Sequence, residues 1–531
     1  MNGTRLCLYM LIIPAFLLLI ACDRIKGNTL NTEDSEHEIL GIITDSTDTI
    51  TMEHFIGANG FIDDPVDKLA ALGFIREYHN WGWNEGNGSV SYQGFPYNQI
   101  RFAPSDPGWN FDEYYTNLKK AGVMVSPCIQ NSVSWLQSNS NNFKGSKKPT
   151  DSPDLSPSDP YSYYAKSSFM YQFAARYGNA KVPDSTLLLA ADQSRISGLG
   201  LIKYLEDWNE QDRDWEGSDA EFSPEEYAAM ASADYDGHCN TMKKFGKRYG
   251  VKNADPSIKL VMGGLAGFKL DYIKRMKTWF EQNRNDKQFA ADVLNFHVYA
   301  FKDGKSWQGG GPAVSPEEAG FREKLTKIVK YRNENLPGKE VWVSEFGWDT
   351  NPESVLCPPS IGSMDPEEVQ GIWLIRAYMA FVAAGADRAQ MFMSRDVNPN
   401  DKTWFSTSGL MGQKGDFTPK KSWYYVSTLK KVLTGMRYIG WETASDPDML
   451  IYKFKDIHSS KGAYVLWTKT SKDYKVPRFP LQLSEKARNA SMTALIPGKS
   501  NGSTTSLAIE KQKVFIDVSE RPVFVLVDHI D

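Results

Sequence analysis

Between residues 55 and 395 the chain alternates short apolar runs with longer amphipathic stretches. Eight runs have the length and residue types of buried strands: 55–61, 74–81, 123–130, 201–209, 259–265, 293–300, 340–346 and 389–395. The stretches between them read as helices at 65–72, 111–121, 163–177, 224–245, 272–282, 316–331 and 369–384. In 272–282, for example, Tyr272, Ile273, Met276 and Phe280 fall on one helical face. This alternation predicts a parallel sheet, and its count is that of an α/β (β/α)8 TIM barrel spanning 51–403. A doubly wound sheet gives a similar alternation, so the count alone leaves that alternative open.

Beyond about Trp404 the helical pattern gives way to strand-like runs at 449–454, 463–468, 514–518 and 523–528. Gly and Ser cluster between them, as in 498–505, and residues 520–522 turn the last hairpin. Residues 404–531 are therefore expected to form a small C-terminal β-sandwich, to which a strand-like stretch at 39–50 can add. The Ser-, Pro-, Asn- and Lys-rich segment 139–159 reads as a long loop after the third strand. It either shapes a cleft or is a tolerated insertion.

The first residues have a different pattern. Arg5 precedes a nearly unbroken apolar run at 8–20, too short for a comfortable membrane span. The run ends in Leu19-Ile20-Ala21-Cys22, which resembles the bacterial lipobox. Residues 1–21 then read as a lipoprotein signal peptide and Cys22 as the lipidated residue; an ordinary secretory signal with a chance Cys is the alternative. Residues 22–50 follow as a polar, acidic spacer and lead-in strand. The expectation is an exported lipoprotein tethered to the outer membrane, at its cell-surface or periplasmic face. Asp23 does not decide which.

Composition removes some function classes. The net charge is −5 with no long basic stretch, which argues against a nucleic-acid partner. Beyond the signal, Cys128, Cys239 and Cys357 are widely spaced and read as buried thiols rather than a disulfide framework or metal cluster. The seven His residues lack zinc spacing, so neither metal nor cofactor is expected. A monomer is expected. The chain is rich in aromatics, with 15 Trp and 25 Tyr, which fits either a large core or rings that stack on sugars.

The candidate chemistry lies at strand ends. The fourth strand closes with Glu206-Asp207-Trp208-Asn209-Glu210, and the seventh with Ser344-Glu345-Phe346-Gly347-Trp348. Each places a Glu at the C-terminal end of a barrel strand, where such folds keep their reactive residues. Paired carboxylates facing each other are what glycosidic bond cleavage needs: one protonates the leaving oxygen and the other attacks the anomeric carbon. The acid must hold its proton near neutrality, and a second carboxylate nearby helps it do so. Glu206 shares a face with Glu210 but sits deeper; Asp212 and Asp214 read as solvated loop acids.

Asn209-Glu210 after strand four, together with Glu345 after strand seven, resembles glycoside hydrolase clan A, the retaining (β/α)8 glycosidases. The added sandwich is similar to the architecture of families 30 and 39. The resemblance implies Glu210 as acid/base, Asn209 as a contact to the sugar 2-hydroxyl and Glu345 as nucleophile. It also implies that Arg76, ending strand two, keeps the nucleophile ionised; a simple salt bridge to Glu77 or another carboxylate is the alternative. His297 and Tyr299, ending strand six, match positions where the clan has a His or Tyr, and Tyr299 is a donor for Glu345. Among the aromatics at strand ends and loops (Trp81, Trp83, Trp109, Trp135, Trp215, Trp307, Trp348), position favours Trp81 and Trp348 as sugar platforms. Two departures leave the exact family unassigned. Gln211 stands where many members have Pro, and strand eight lacks the Trp often found there, for which Trp404 or Trp348 is a substitute. The implied activity is a retaining β-glycoside hydrolase on a polysaccharide or oligosaccharide, with endo action preferred over exo. A transglycosidase and a non-catalytic lipid-anchored glycan-binding protein are the rivals.

Overall fold

The computed structural model describes residues 50–85, 102–106, 109–137, 143–190, 192–302 and 311–531. The signal segment, Cys22, the spacer, residues 39–49, the start of the 139–159 loop and Trp307 lie outside the described residues.

Eight strands form the closed barrel, and the two-residue strand Leu265–Ala266 completes the nine-stranded central sheet. The barrel strands are β1 (Ile56–Gly60), β2 (Phe74–Asn80), β3 (Met124–Gln130), β4 (Tyr204–Asp207), β5 (Lys259–Met262), β6 (Val293–His297), β7 (Glu340–Glu345) and β8 (Arg388–Met391). Each pairs in parallel with its neighbours in sequence, and β8 pairs with β1. The sheet therefore closes on itself, which excludes the doubly wound alternative. The surrounding helices are α1 (Phe111–Lys120), α2 (Tyr164–Tyr177), α3 (Pro224–Asn240), α4 (Leu270–Asn283), α5 (Phe321–Asn335) and α6 (Pro366–Ala383).

Local chemistry explains where these elements stop. Ser223 and Glu226 form a reciprocal capping box at the start of α3. The helix ends earlier than its apolar pattern suggests, because Gly237, His238 and Cys239 adopt left-handed φ of 65°, 49° and 55°. The segment at 65–72 shrinks to one turn, Val66–Leu69.

Among the described residues, one helix longer than a single turn was not expected. Lys421–Leu433 (α7) falls inside the segment read as strands. Its buried Tyr425, Val426, Leu429 and Leu433 have helical spacing. It packs on α6 at Gly371, where a Cβ would lie 2.9 Å from the Tyr425 ring and 3.1 Å from the Ser422 backbone.

The β-region follows. It comprises β9 (Met436–Glu442), β10 (Met449–Asp456), β11 (Gly462–Thr468), β12 (Val476–Gln482), β13 (Ala490–Ala494), β14 (Ser503–Leu507), β15 (Lys513–Val518) and β16 (Val523–Val527). Six strands form one antiparallel sheet in the order β9-β10-β11-β16-β13-β14, and β12 pairs with β15 in a second. A core that includes Ile451, Leu466, Leu481, Ile516 and Val525 lies between the two sheets.

Inside the barrel the period-two alternation of each strand builds layers, with alternate strands supplying one layer. Phe74, Tyr204 and Val293 of β2, β4 and β6 form an apolar floor with Trp342 of β7. The Arg388 guanidinium of β8 lies 5.0 Å and 4.9 Å from the Phe74 and Tyr204 rings. Two residues further along the same strands come Arg76, Glu206, Asn295 and Gln390, all fully buried. This polar layer lies directly beneath the strand ends that carry the candidate residues.

Candidate active site

Arg76 organises the polar layer. Its Nε and Nη2 donate to the two carboxylate oxygens of Glu206 at 2.6 and 2.8 Å, a bidentate pairing. Nη1 donates to Asn59 Oδ1 at 2.7 Å and to Glu345 Oε1 at 2.8 Å. Nη2 also reaches Asn209 Oδ1 at 2.8 Å and Cys128 Sγ at 3.2 Å. The two readings of Arg76 thus merge, for it is salt-bridged to a buried carboxylate and also touches Glu345. That buried partner is Glu206 rather than Glu77, whose Oε2 accepts from Tyr115. Asn295 Nδ2 and the Gly264 N–H complete the cage around Glu206 at 3.1 and 3.3 Å.

Glu345 is the focus of three donors. Besides Arg76, the Tyr78 hydroxyl donates to Oε1 and the Tyr299 hydroxyl donates to Oε2 at 3.0 Å. Burial, followed by the Glu345 charge, raises both phenols well above their ordinary pKa, so both remain donors. Glu345 reaches this position through an irregularity in β7. Its pairing with β6 shifts register between Val343 and Glu345. Trp342 points into the barrel, so alternation alone would send Ser344 inward and Glu345 outward. The extra residue brings both inward.

Glu210 sits on the turn after β4, where Trp208 and Glu210 take positive φ of 86° and 46°. Such left-handed non-glycine residues cost on the order of 1 kcal/mol or more each and persist only where neighbours hold them. Here the Trp208 N–H donates to Ile129 O at 2.8 Å, the Glu210 N–H to Gly264 O at 3.1 Å and Arg213 Nε to Glu210 O at 2.9 Å. The Glu210 side chain is 13% exposed and that of Glu345 6%. Burial raises the Glu210 pKa to about 7; Arg213 opposes the rise and Asp212 adds to it. Burial is therefore the leading cause, ahead of any neighbouring carboxylate.

His297 lies between the two acids. Its Nδ1 is 3.1 Å from Glu210 Oε1 and 3.4 Å from Glu345 Oε1, and its Nε2 is 3.0 Å from Ser344 Oγ. Burial drives its pKa down to about 3, against the pull of Glu345, so the ring is neutral. Gly264 makes room for it: a Cβ there would lie 1.9 Å from His297 Nε2. One ligand-type atom each from Glu210, His297 and Glu345 lie within 4.8 Å of one another. Such a trio has the donor types of a cation site, but the Arg76 guanidinium already places a positive charge against Glu345.

The structure therefore brings together Glu210, Glu345, Asn209, Arg76, His297 and Tyr299. It does not bring Trp81 or Trp348 to the cleft, and the platform expectation is corrected for both. Both indoles are fully buried. Trp81 Nε1 donates to Glu85 Oε2 at 2.8 Å and Trp348 Nε1 to Val314 O at 3.1 Å, so their rings serve the core. Asp212 is also buried rather than solvated, bridged to Lys269 Nζ at 2.6 Å; Asp214 is exposed as expected. Of the three thiols, Cys128 is buried while Cys239 and Cys357 are half-buried.

Sequence reasoning missed Tyr78, Asn59, Ser344 and the part played by Glu206. Tyr78 was within reach, because alternation puts it on the same face as Arg76. Also missed was a run of half-buried rings beside Glu345. Phe61, Tyr78, Phe392, Phe405 and Trp404 follow one another at centroid separations of 6.4, 6.1, 5.4 and 6.3 Å. Trp404 is the aromatic near strand eight that the sequence offered as a substitute.

No protein-family model matches the chain, and no curated protein matches it. Solved structures do share its fold. A family 39 glycoside hydrolase from Bacteroides cellulosilyticus WH2 superposes with a TM-score of 0.57 at 15% identity, covering 90% of this chain and 81% of its own. The catalytic domain of the family 30 xylanase C from Talaromyces cellulolyticus gives 0.55 at 11% identity over 91% and 98%. A family 30 endoxylanase from Clostridium papyrosolvens C71 gives 0.52 at 12% identity over 90% and 97%. At these identities the likeness establishes the fold: a (β/α)8 barrel with a C-terminal antiparallel β-region, shared with glycoside hydrolases.

Proposed function

We propose that this protein is a retaining β-glycoside hydrolase of the clan A type, with Glu210 as acid/base and Glu345 as nucleophile. The observation that carries the reading is the carboxylate pair itself. Oxygens of Glu210 and Glu345 approach within 4.8 Å, in the range of the roughly 5 Å spacing of retaining enzymes and short of the ~6.5–9.5 Å that leaves room for water in inverting ones. The two environments also differ in the required sense. Glu210 is buried and holds its proton to about pH 7. Glu345 accepts hydrogen bonds from a guanidinium and two phenols.

The division of labour follows. Glu345 attacks the anomeric carbon while Glu210 passes its proton to the departing oxygen. Glu210 then takes a proton from the water that releases the glycosyl ester. Arg76 only donates, so the Asn209 atom facing it is the amide oxygen, and Nδ2 is left as the donor toward a sugar 2-hydroxyl. The half-buried rings beside Glu345 offer apolar faces to pyranose rings and favour a polysaccharide substrate. Lipidation at Cys22 would tether the enzyme at the outer membrane; loss of palmitate labelling in Cys22→Ser is the expected result.

The reading is tested by incubating the protein with a panel of β-linked polysaccharides and following new reducing ends and the anomeric configuration of the first product by NMR. Retention is expected. In Glu345→Ala turnover should vanish and be partly rescued by azide as an α-glycosyl azide. Wild-type activity in that variant, or an inverted first product, would sink the assignment.

A further inference from the structure

Consecutive residues of a strand point to opposite sides, yet Ser344 and Glu345 both face His297. The register shift in β7 makes this possible. It places a hydroxyl 3.0 Å from His297 Nε2, on the opposite edge of the ring from Glu210. Bulges that re-aim side chains beside reactive groups are conformational features with a function to explain.

Hydrogen-bond accounting decides which atoms carry the protons. The neutral imidazole has one N–H and one acceptor nitrogen. Ser344 Oγ is buried, and among the described residues its hydrogen-bond partner is His297 Nε2. If Nε2 carried the hydrogen, it would donate to Oγ and the Ser344 hydroxyl hydrogen would be stranded in the core, which costs about 1–3 kcal/mol. If the hydroxyl donates to Nε2, every hydrogen is used: Oγ–H to Nε2, and Nδ1–H to Glu210 Oε1. The imidazole ring fills the space left by Gly264.

We propose that Ser344 is a positioning residue for Glu210, fixing His297 as the Nδ1–H tautomer and so keeping the transferable proton on Glu210 Oε2, the oxygen His297 does not engage. The inference rests on the assignment of Glu210 as acid/base. Through the reaction His297 neither gains nor loses a proton. It donates to Oε1 while Oε2–H passes its proton to the leaving oxygen, and it keeps donating while Oε2 takes a proton from water. Strand β7 thus carries the nucleophile and, one residue earlier, the group that orients the acid.

The direct test is NMR of protein labelled with 15N-histidine, with the His297 signals identified by their loss in His297→Gln. The expected result is a non-protonated Nε2 and a protonated Nδ1, with protonated Nε2 growing in Ser344→Ala and the native state restored in Ser344→Thr. Protonated Nε2 in the native protein, or an unchanged ring in Ser344→Ala, overturns the proposal whether or not the protein is a glycosidase. The kinetic test compares 4-nitrophenyl and phenyl β-glycosides of the sugar that the native enzyme cleaves fastest. Ser344→Ala should lower kcat/KM on the phenyl glycoside, whose departure needs the acid, by about tenfold or more, and spare kcat/KM on the 4-nitrophenyl glycoside. Equal losses on both would mean a merely structural role. Failure of the glycosidase reading has a different signature: wild-type turnover in Glu345→Ala, with the tautomer result intact.

Discussion

Arg76 is fully buried and makes six hydrogen bonds, to Glu206, Asn59, Glu345, Cys128 and Asn209. Its removal would leave Glu206 charged and uncompensated in the core. Arg76→Ala should therefore destabilise the fold by about 3–5 kcal/mol, as read by chemical denaturation; a loss under 1 kcal/mol would show that the network is not maintained in solution. Lys in its place would supply one charge but no fork for Glu206. Tyr78→Phe isolates a smaller effect. It removes one donor from Glu345 with little change of shape, so kcat should fall by about tenfold or more while the unfolding midpoint hardly moves. The pH dependence belongs to Glu210. The acid works protonated, and its pKa is lifted to about 7, so kcat/KM on polysaccharide should fall as pH rises through about 7. A limb near the ordinary carboxylate range would show that burial does not hold the proton.

At the scale of elements, the most informative places are where regular structure breaks. β5 ends at Met262, and Leu265–Ala266 then pairs with the end of β6. Between them stand Gly263 and Gly264. Gly264 is needed because the His297 ring fills the space a side chain would take. Gly264→Ala should push His297 off Glu210 and cut kcat by about a hundredfold while the far-UV spectrum stays native. Unchanged kcat would mean that His297 placement does not matter. The eight barrel strands were legible as short, largely apolar runs separated by helix-like stretches. Helix α7 was equally legible in its 3.6-residue spacing, but the approach of a β-rich tail obscured it. Strands β9, β12, β13 and β14 were not legible. β12 carries Pro477 and Pro480, and β14 reads Ser-Thr-Thr-Ser-Leu, so neither shows the apolar period of a core strand.

Across the whole molecule, barrel and β-region share one hydrophobic core, which runs from Ile56 and Phe346 through Tyr425 to Phe454, Trp467 and Phe524. Polar contacts reinforce the join. Arg376 of α6 donates to Glu317 and to the Lys469 and Thr470 carbonyls, while Trp467 Nε1 donates to Glu317 Oε1 at 2.9 Å. Residues 50–531 should therefore unfold in a single calorimetric transition. Two separated transitions would mean that the β-region is an independent domain. The sequence by itself determined the barrel's strand count, the parallel alternation and the Glu residues at the ends of strands four and seven, because these follow from periodicity and strand polarity along the chain. It could not determine which tryptophans reach the cleft, which carboxylate pairs with Arg76, or that Ser344 and Glu345 face the same way. Those depend on barrel closure, which buries Trp81 and Trp348 and brings Glu206 to Arg76, and on one extra residue in β7 whose effect exists only in its register with β6.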